Sequence, residues 1–135
     1  MEANKVLIFE QFAKKAKERI EARKQMRKEE LVIGSIGMDM EIRGLSDAEV
    51  SEVLEFSDDT IEVDKYTIYY ASSTLQEAAK VMVQEGSLRP GKEYTITDMF
   101  TQAERNFIAR RILELSGVGG EADIRIKEKE EVKNS

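Results

Sequence analysis

The stretch FTQAERNFIARRILELSGVGG, residues 100–120, carries the start and stop signals of one helix, and this limits what the chain can build around it. Thr101 and Glu104 stand three apart, as a capping box requires. The threonine side chain accepts from the Glu104 backbone N–H and the glutamate reaches back to the Thr101 N–H, so two donors at the helix start find partners. Ala103, Phe107, Ile108, Ile112 and Leu115 recur at helical spacing and predict one apolar face. Gln102, Arg105, Asn106, Arg110 and Glu114 lie opposite. Gly117 supplies the left-handed conformation that ends a helix, and Gly119 and Gly120 loosen the chain beyond it. The compact domain is therefore expected to close near residue 120.

The same grammar locates the other elements. Ser46 and Glu49 form a second capping box, with Leu45 and Val50 in the relation of a hydrophobic staple, so a helix is expected from there to about Phe56. Asp59 can cap a helix beginning at residue 60. The run IEVDKYTIYYASSTLQEAAKVMV begins with β-branched and aromatic residues that suit a strand. Against that, Ile61, Ile68, Leu75 and Met82 are seven apart and no turn residue intervenes, so one long helix is expected over 60–82. Pro90 and Gly91 fit the central positions of a type II turn. Upstream, Val32, Met38, Met40 and Ile42 alternate with polar or small residues around a turn at Gly34–Gly37, the pattern of a β-hairpin. Val6, Phe9, Ala13, Ala16 and Ile20 fall at steps of three and four, so residues 5 to about 29 read as a long amphipathic helix whose second half is charged.

The expected architecture is α+β and mostly α-helical: one small β-hairpin packed with three to five helices, behind a long charged N-terminal helix. Residues 1–30 form that helix, 31–120 the hairpin-plus-helices domain, and 121–135 a charged mobile tail. At 135 residues the chain is one domain's worth.

Chemistry is constrained by what is missing. The sequence has neither Cys nor His, which removes thiol nucleophiles, disulfides, the common zinc sites and the imidazole base. Neither an enzyme nor a cofactor-binding protein is expected. The GSIG of residues 34–37 reads as a hairpin turn, not a backbone clamp for nucleic acid. The GVGG at 117–120 comes after a helix instead of opening one, and so holds no phosphate. Asp58, Asp59, Glu62 and Asp64 lack the spacing and central glycine of a calcium loop, and read as helix caps and a solvated acidic face. The N-terminal VLIF is too short for a membrane span or a signal-peptide core, so a cytoplasmic protein is expected.

Charge is unevenly placed. Residues 14–30 carry a net charge of +4 and residues 44–64 a net charge of −8. Four glutamates dilute the basic run and no aromatic residue interrupts it for base stacking, so it reads as a solvated helix, or a docking helix for an acidic partner, before a nucleic-acid grip.

The order of these features is itself informative. A basic N-terminal helix, the hairpin LVIGSIGMDMEIRGLSDAEV, the tyrosine-bearing DKYTIYYASSTL and the final helix MFTQAERNFIARRILELSGVGG together resemble the phage tail assembly chaperones of the XkdN-like family. The resemblance spans residues 20–120 and is most specific in the last helix, at Phe100-Thr101, Glu104, Ile108, Ile112 and the closing LSG. It implies a cytoplasmic protein of the bacterial host that transiently holds the tape-measure protein, and possibly tail-tube subunits, during assembly of a contractile tail. It also implies absence from the finished virion. The residues expected to meet a partner are Val6, Phe9 and Phe12 on the first helix, Met38 and Met40 on the hairpin, and Ile124 and Ile126 in the tail. Methionine suits pliable apolar contact, with core filling the competing and, for each single methionine, the favoured reading, and the alternating DIRIK can add as a strand to a sheet edge of a neighbouring copy or a partner. The apolar end of the first helix is expected to support a homo-oligomer. The alternative is a small phage-encoded regulator that lays the basic helix on nucleic acid.

Overall fold

The computed structural model describes the backbone of residues 2–25 and 27–128, and the side chains of that set from residue 5 onward. Val132 and the end of the charged tail lie outside the described residues. Helix α1 spans Glu2–Lys24, strands β1 and β2 span Lys28–Ile33 and Met38–Arg43, and helices α2, α3 and α4 span Asp47–Leu54, Thr60–Tyr70 and Ser73–Gln84. A 3₁₀ helix, Glu93–Met99, precedes α5, Gln102–Leu115. The α+β expectation of one antiparallel hairpin among helices is what the described residues form.

The hairpin pairs Ile33 with Met38, Leu31 with Met40 and Glu29 with Ile42. Directly opposed residues share a face, so Leu31, Ile33, Met38, Met40 and Ile42 point one way. The sequence pattern had grouped Val32 with them. The four-residue turn instead sets Val32 opposite Asp39 on the other face, where it is 79% exposed. Gly37 closes the turn at φ 66°, its N–H donating to the Ile33 carbonyl at 2.9 Å.

The run 60–82 is two helices. It is helical from Thr60 onward, with the Asp59 side chain accepting from the Ile61 N–H at 2.9 Å. The expected single helix breaks at Ala71-Ser72 because this link serves the open edge of β2. Ser72 Oγ accepts from the Leu75 N–H at 3.3 Å, capping α4, and donates to the Glu41 carbonyl at 2.7 Å. Beside it, the Arg43 N–H donates to the Ala71 carbonyl and the Glu41 N–H to Thr74 Oγ1. A continuous helix would leave those strand groups without these partners. The seven-residue spacing survives the break: Ile68 and Leu75, one on each helix, are both in the core.

Both capping boxes form, with Ser46 and Glu49 at 3.0 and 3.2 Å and Thr101 and Glu104 at 2.8 and 3.1 Å. Helix α5 ends as a Schellman motif. The Gly117 N–H, at φ 83°, donates to the Glu114 carbonyl and the Val118 N–H to the Leu113 carbonyl. Its buried face, however, is rotated from the expected one. Ile108, Ala109, Ile112 and Ser116 are buried, whereas Ala103 is exposed and Phe107 is 56% exposed. Polar partners fix this rotation. Arg105 turns inward to donate to the Thr97 and Phe100 carbonyls, and Arg111 pairs with Glu29 of β1.

The core joins the hairpin to α2–α5 through Met40, Ile42, Val53, Ile68, Ile108 and Ile112. Gly44 carries the chain from β2 past the end of α5. A Cβ placed there would lie 2.7 Å from the Leu115 carbonyl oxygen. Next to it, the Leu45 N–H donates to Ser116 Oγ at 2.7 Å, and that hydroxyl donates to the Ile112 carbonyl at 2.6 Å.

Helix α1 stands apart from this body. Residues 5–20 are exposed except for half-buried Ala16. Its tie is at the C-terminal turn, where Arg23 bonds Asp47 at 3.0 Å. The helix also ends five residues short of the expected boundary, because β1 already begins at Lys28 and takes the residues assigned to its last turn.

Candidate partner-binding groove

An apolar groove of about 530 Å³ opens between the hairpin, α4 and the 3₁₀ helix. Met40 forms its floor at 2% exposure, with Leu75 and Ile96 also buried. Its mouth is formed by Ile36, Met38 and Met99, which are 43, 64 and 46% exposed. Half-buried Met82 and Leu88 close the side toward α4. Four methionines thus line it from three separate stretches of chain, and their unbranched thioethers adapt to the shape of an apolar visitor at small cost.

Each wall is held by a specific local device. The hairpin turn is tethered to the start of α5 by Ser35 Oγ donating to Glu104 Oε2 at 2.6 Å. This bond, and then the Thr101 N–H, lower the Glu104 carboxyl below the usual range. The 3₁₀ helix is pinned through Asp98, which receives Lys65 Nζ at 2.9 Å while Glu62 receives it at 3.3 Å. The Asp98 hydrogen bond is the main reason the Lys65 ammonium titrates above its ordinary value. Helix α4 ends in its own Schellman motif, with Gly86 at φ 79° and the Ser87 N–H donating to the Met82 carbonyl at 2.8 Å. The expected type II turn comes next, with Gly91 at φ 88° and the Lys92 N–H donating to the Arg89 carbonyl at 3.0 Å. Together these turns return the chain so that Leu88 and Ile96 face the groove. Two acidic residues border it: Asp98 is held by Lys65, and Asp39 lies opposite Val32 on the outer face of the hairpin.

A second depression of about 440 Å³ has an aromatic wall. Phe56 stacks on Tyr66 with ring centroids 4.1 Å apart and meets Tyr94 edge-on at 5.1 Å. These rings satisfy one another, and Tyr70 donates to Glu52 at 3.2 Å. Burial, then that carboxylate, push the Tyr70 phenol above its usual range. The cluster fastens α2 to α3 and the 3₁₀ helix.

The residues expected to meet a partner fall in three places. Met38 stands at the groove mouth. Met40 lies beneath it and fills the core, the reading that stood beside partner contact for each methionine: its partner across the hairpin, Leu31, packs against the same core. Val6, Phe9 and Phe12 are 53, 68 and 75% exposed on α1. Ile124 and Ile126, at 82 and 94%, come after α5 in a segment without regular structure, and the strand expected of DIRIK is one that forms on the sheet edge of a partner or a neighbouring copy. Leu75, Met82, Leu88, Ile96 and Met99 were not anticipated as groove residues. Helical spacing had marked Leu75 and Met82 as one face, but which end of that face stays open depends on the 3₁₀ helix, for which the sequence shows no start signal. Among the described residues no group of acidic side chains is arranged to hold a metal ion, and no helix is long and apolar enough to cross a membrane. Comparison of the chain with protein-family models, curated proteins and solved structures gives no match.

Proposed function

We propose that this protein is a phage tail assembly chaperone, without catalytic activity, that transiently holds apolar helical segments of the tape-measure protein in the bacterial cytoplasm while the contractile tail is built. The observation that carries this reading is the methionine-walled groove. It offers adaptable apolar contact, which suits the apolar stripe of an amphipathic helix. A long helical client that has not yet been enclosed by tube subunits presents such stripes along its length. The order of sequence features that resembles the XkdN-like family supports the same reading.

The test is co-expression with a tape-measure protein of a contractile tail. The intact chain should keep that protein soluble and co-purify with it. Met38→Ser with Met99→Ser should weaken capture at least tenfold while leaving the far-ultraviolet circular dichroism unchanged. Equal capture by the double variant would remove the groove from the proposal. The regulator reading rests on the exposed basic shaft of α1, where Lys14, Lys15, Lys17 and Arg19 all face solvent. A mobility shift of duplex DNA that fades steeply with salt would favour it over the chaperone.

A further inference from the structure

The hairpin has one covered edge and one open edge. On β2, the Arg43 N–H donates to the Ala71 carbonyl and the Glu41 N–H to Thr74 Oγ1, so the backbone of these residues points away from β1. Their partners Lys28 and Glu30, and Val32 by the same alternation, therefore point their backbone groups away from β2. Among the described residues none of these groups on β1 meets a hydrogen-bond partner. The described residues form a sheet of two strands, so β1 presents an edge on which another strand can add. We propose that this edge receives residues 123–127, DIRIK, of a second copy, and that two copies exchange these tails to close a dimer. The inference stands apart from the client groove and needs no client.

The two sides of the edge match the two sides of the tail. As a strand, DIRIK places Ile124 and Ile126 on one side and Asp123, Arg125 and Lys127 on the other. The core side of β1 carries half-buried Leu31. Helix α5 runs along that side, since Glu104 reaches Ser35 in the hairpin turn and Arg111 reaches Glu29 in β1. Phe107 stands three residues after the first and four before the second, on the same helical stripe, which holds its ring beside β1 at 56% exposure. Isoleucines on the core side of an added strand cover this ring and Leu31. On the outer side, Glu30 and Asp39 are exposed and, among the described residues, engaged in no ion pair, whereas Lys28 already holds Glu41 at 3.6 Å. Arg125 and Lys127 bring the opposite charge to that side. Either strand direction keeps the match, because it depends only on the alternation of side chains.

The tail of a single copy leaves its own edge empty, with Ile124 and Ile126 82 and 94% exposed. Its root nevertheless lies near the start of β1. The Leu115 carbonyl sits against Gly44, and the Gly44 N–H donates to the Arg27 carbonyl at 2.8 Å. When two copies set their β1 edges side by side, residues 116–122 have to cross only the width of the added strands, and a link of that length reaches up to about 23 Å. Because each copy gives a tail and takes one, the contact closes as a twofold dimer instead of extending into a fibre.

Complementation between two full-length variants tests this. Val32→Pro blocks the edge without removing a bond to β2, since that N–H points outward. Ile124→Asp with Ile126→Asp disables the tail at positions that are exposed in the single copy. In sedimentation velocity at hundreds of micromolar, the parent should form a dimer and each variant alone should stay monomeric. Their mixture should give a heterodimer, one tail on one edge. Glu30→Lys should weaken the parent dimer at least fivefold, Phe107→Ala should weaken it several-fold, and adding Arg125→Glu to Glu30→Lys should recover much of the loss. Circular dichroism checks that each variant is folded. A parent that stays monomeric at these concentrations overturns the proposal, as does a dimer that persists in the tail variant or a mixture of folded variants that does not associate. Protection of the Glu30 and Val32 amides from hydrogen exchange that does not change with concentration would assign the edge to the chain's own tail and overturn it as well.

Discussion

Replacing Gly44 with alanine tests the closest approach in the fold. The new methyl group would meet the Leu115 carbonyl oxygen at 2.7 Å and its carbonyl carbon at 3.0 Å, both backbone atoms in the last turn of α5. Neither can rotate away as a side chain does. Ordinary contact begins near 3.4 Å, so the β2–α2 connection and the end of α5 must separate by several tenths of an ångström. That movement acts on the adjacent buried bond from the Leu45 N–H to Ser116 Oγ, now 2.7 Å. Overpacking of this kind costs about 1–3 kcal/mol, and weakening a buried hydrogen bond adds about 1 kcal/mol. The reduced freedom of alanine in the unfolded chain returns about 0.5–1 kcal/mol. The net loss is about 1–3.5 kcal/mol, which lowers the melting temperature by roughly 4–14 °C for a domain of this size. Thermal unfolding followed at 222 nm measures it, with Gly34→Ala as control because nothing lies within 4 Å of a Cβ there. If both variants melt together, the close approach of Gly44 to α5 is not a feature of the folded protein.

Ile112→Ala removes a fully buried side chain and should cost about 2–5 kcal/mol, whereas Phe107→Ala, at a site 56% exposed, should stay within about 0.5 kcal/mol of the parent. Reversal of that order in denaturant titrations would restore the helix face read from sequence and contradict the observed rotation. The Glu49 carboxyl is lowered from 4.5 to about 2, first by the Arg43 hydrogen bonds and then by the Ser46 backbone N–H. Its folded value lies below the unfolded one, so its stabilisation is complete above pH 4.5 and disappears as pH falls toward 2. With side-chain exposures of 25 and 19% for Arg43 and Glu49, about 2 kcal/mol is expected after allowance for solvent screening. Accordingly, Glu49→Gln should be less stable than the parent at pH 7 and close to it at pH 2; a constant gap across that range would exclude the ion pair as the cause. Truncation after Gly120 should leave the melting temperature within about 1 °C, since Ile124 and Ile126 are 82 and 94% exposed. A drop of several degrees would mean that the tail packs on the domain.

The sequence alone determined the features whose partners lie within a few residues. Both capping boxes, the Asp59 cap, the hairpin turn, the Pro90-Gly91 turn and the Gly117 stop each close hydrogen bonds inside one short segment, so residue type and spacing carry them. Contacts between distant segments decided the rest. The break at Ser72 arises from the needs of β2, thirty-one residues earlier in the chain. The rotation of α5 arises from Arg111 reaching Glu29, eighty-two residues away. Met40 and Met38 belong to one alternating pattern, yet one is 2% and the other 64% exposed, because the hairpin face is covered at one end and open at the other. The groove has the same origin. Its methionines lie at positions 38, 40, 82 and 99, and no local pattern joins the hairpin pair to Met82 and Met99 until the Schellman turn after α4 and the 3₁₀ helix return the chain to the hairpin. Hydrophobic periodicity says that a face is apolar; only the packed neighbours decide how much of that face is left for a partner.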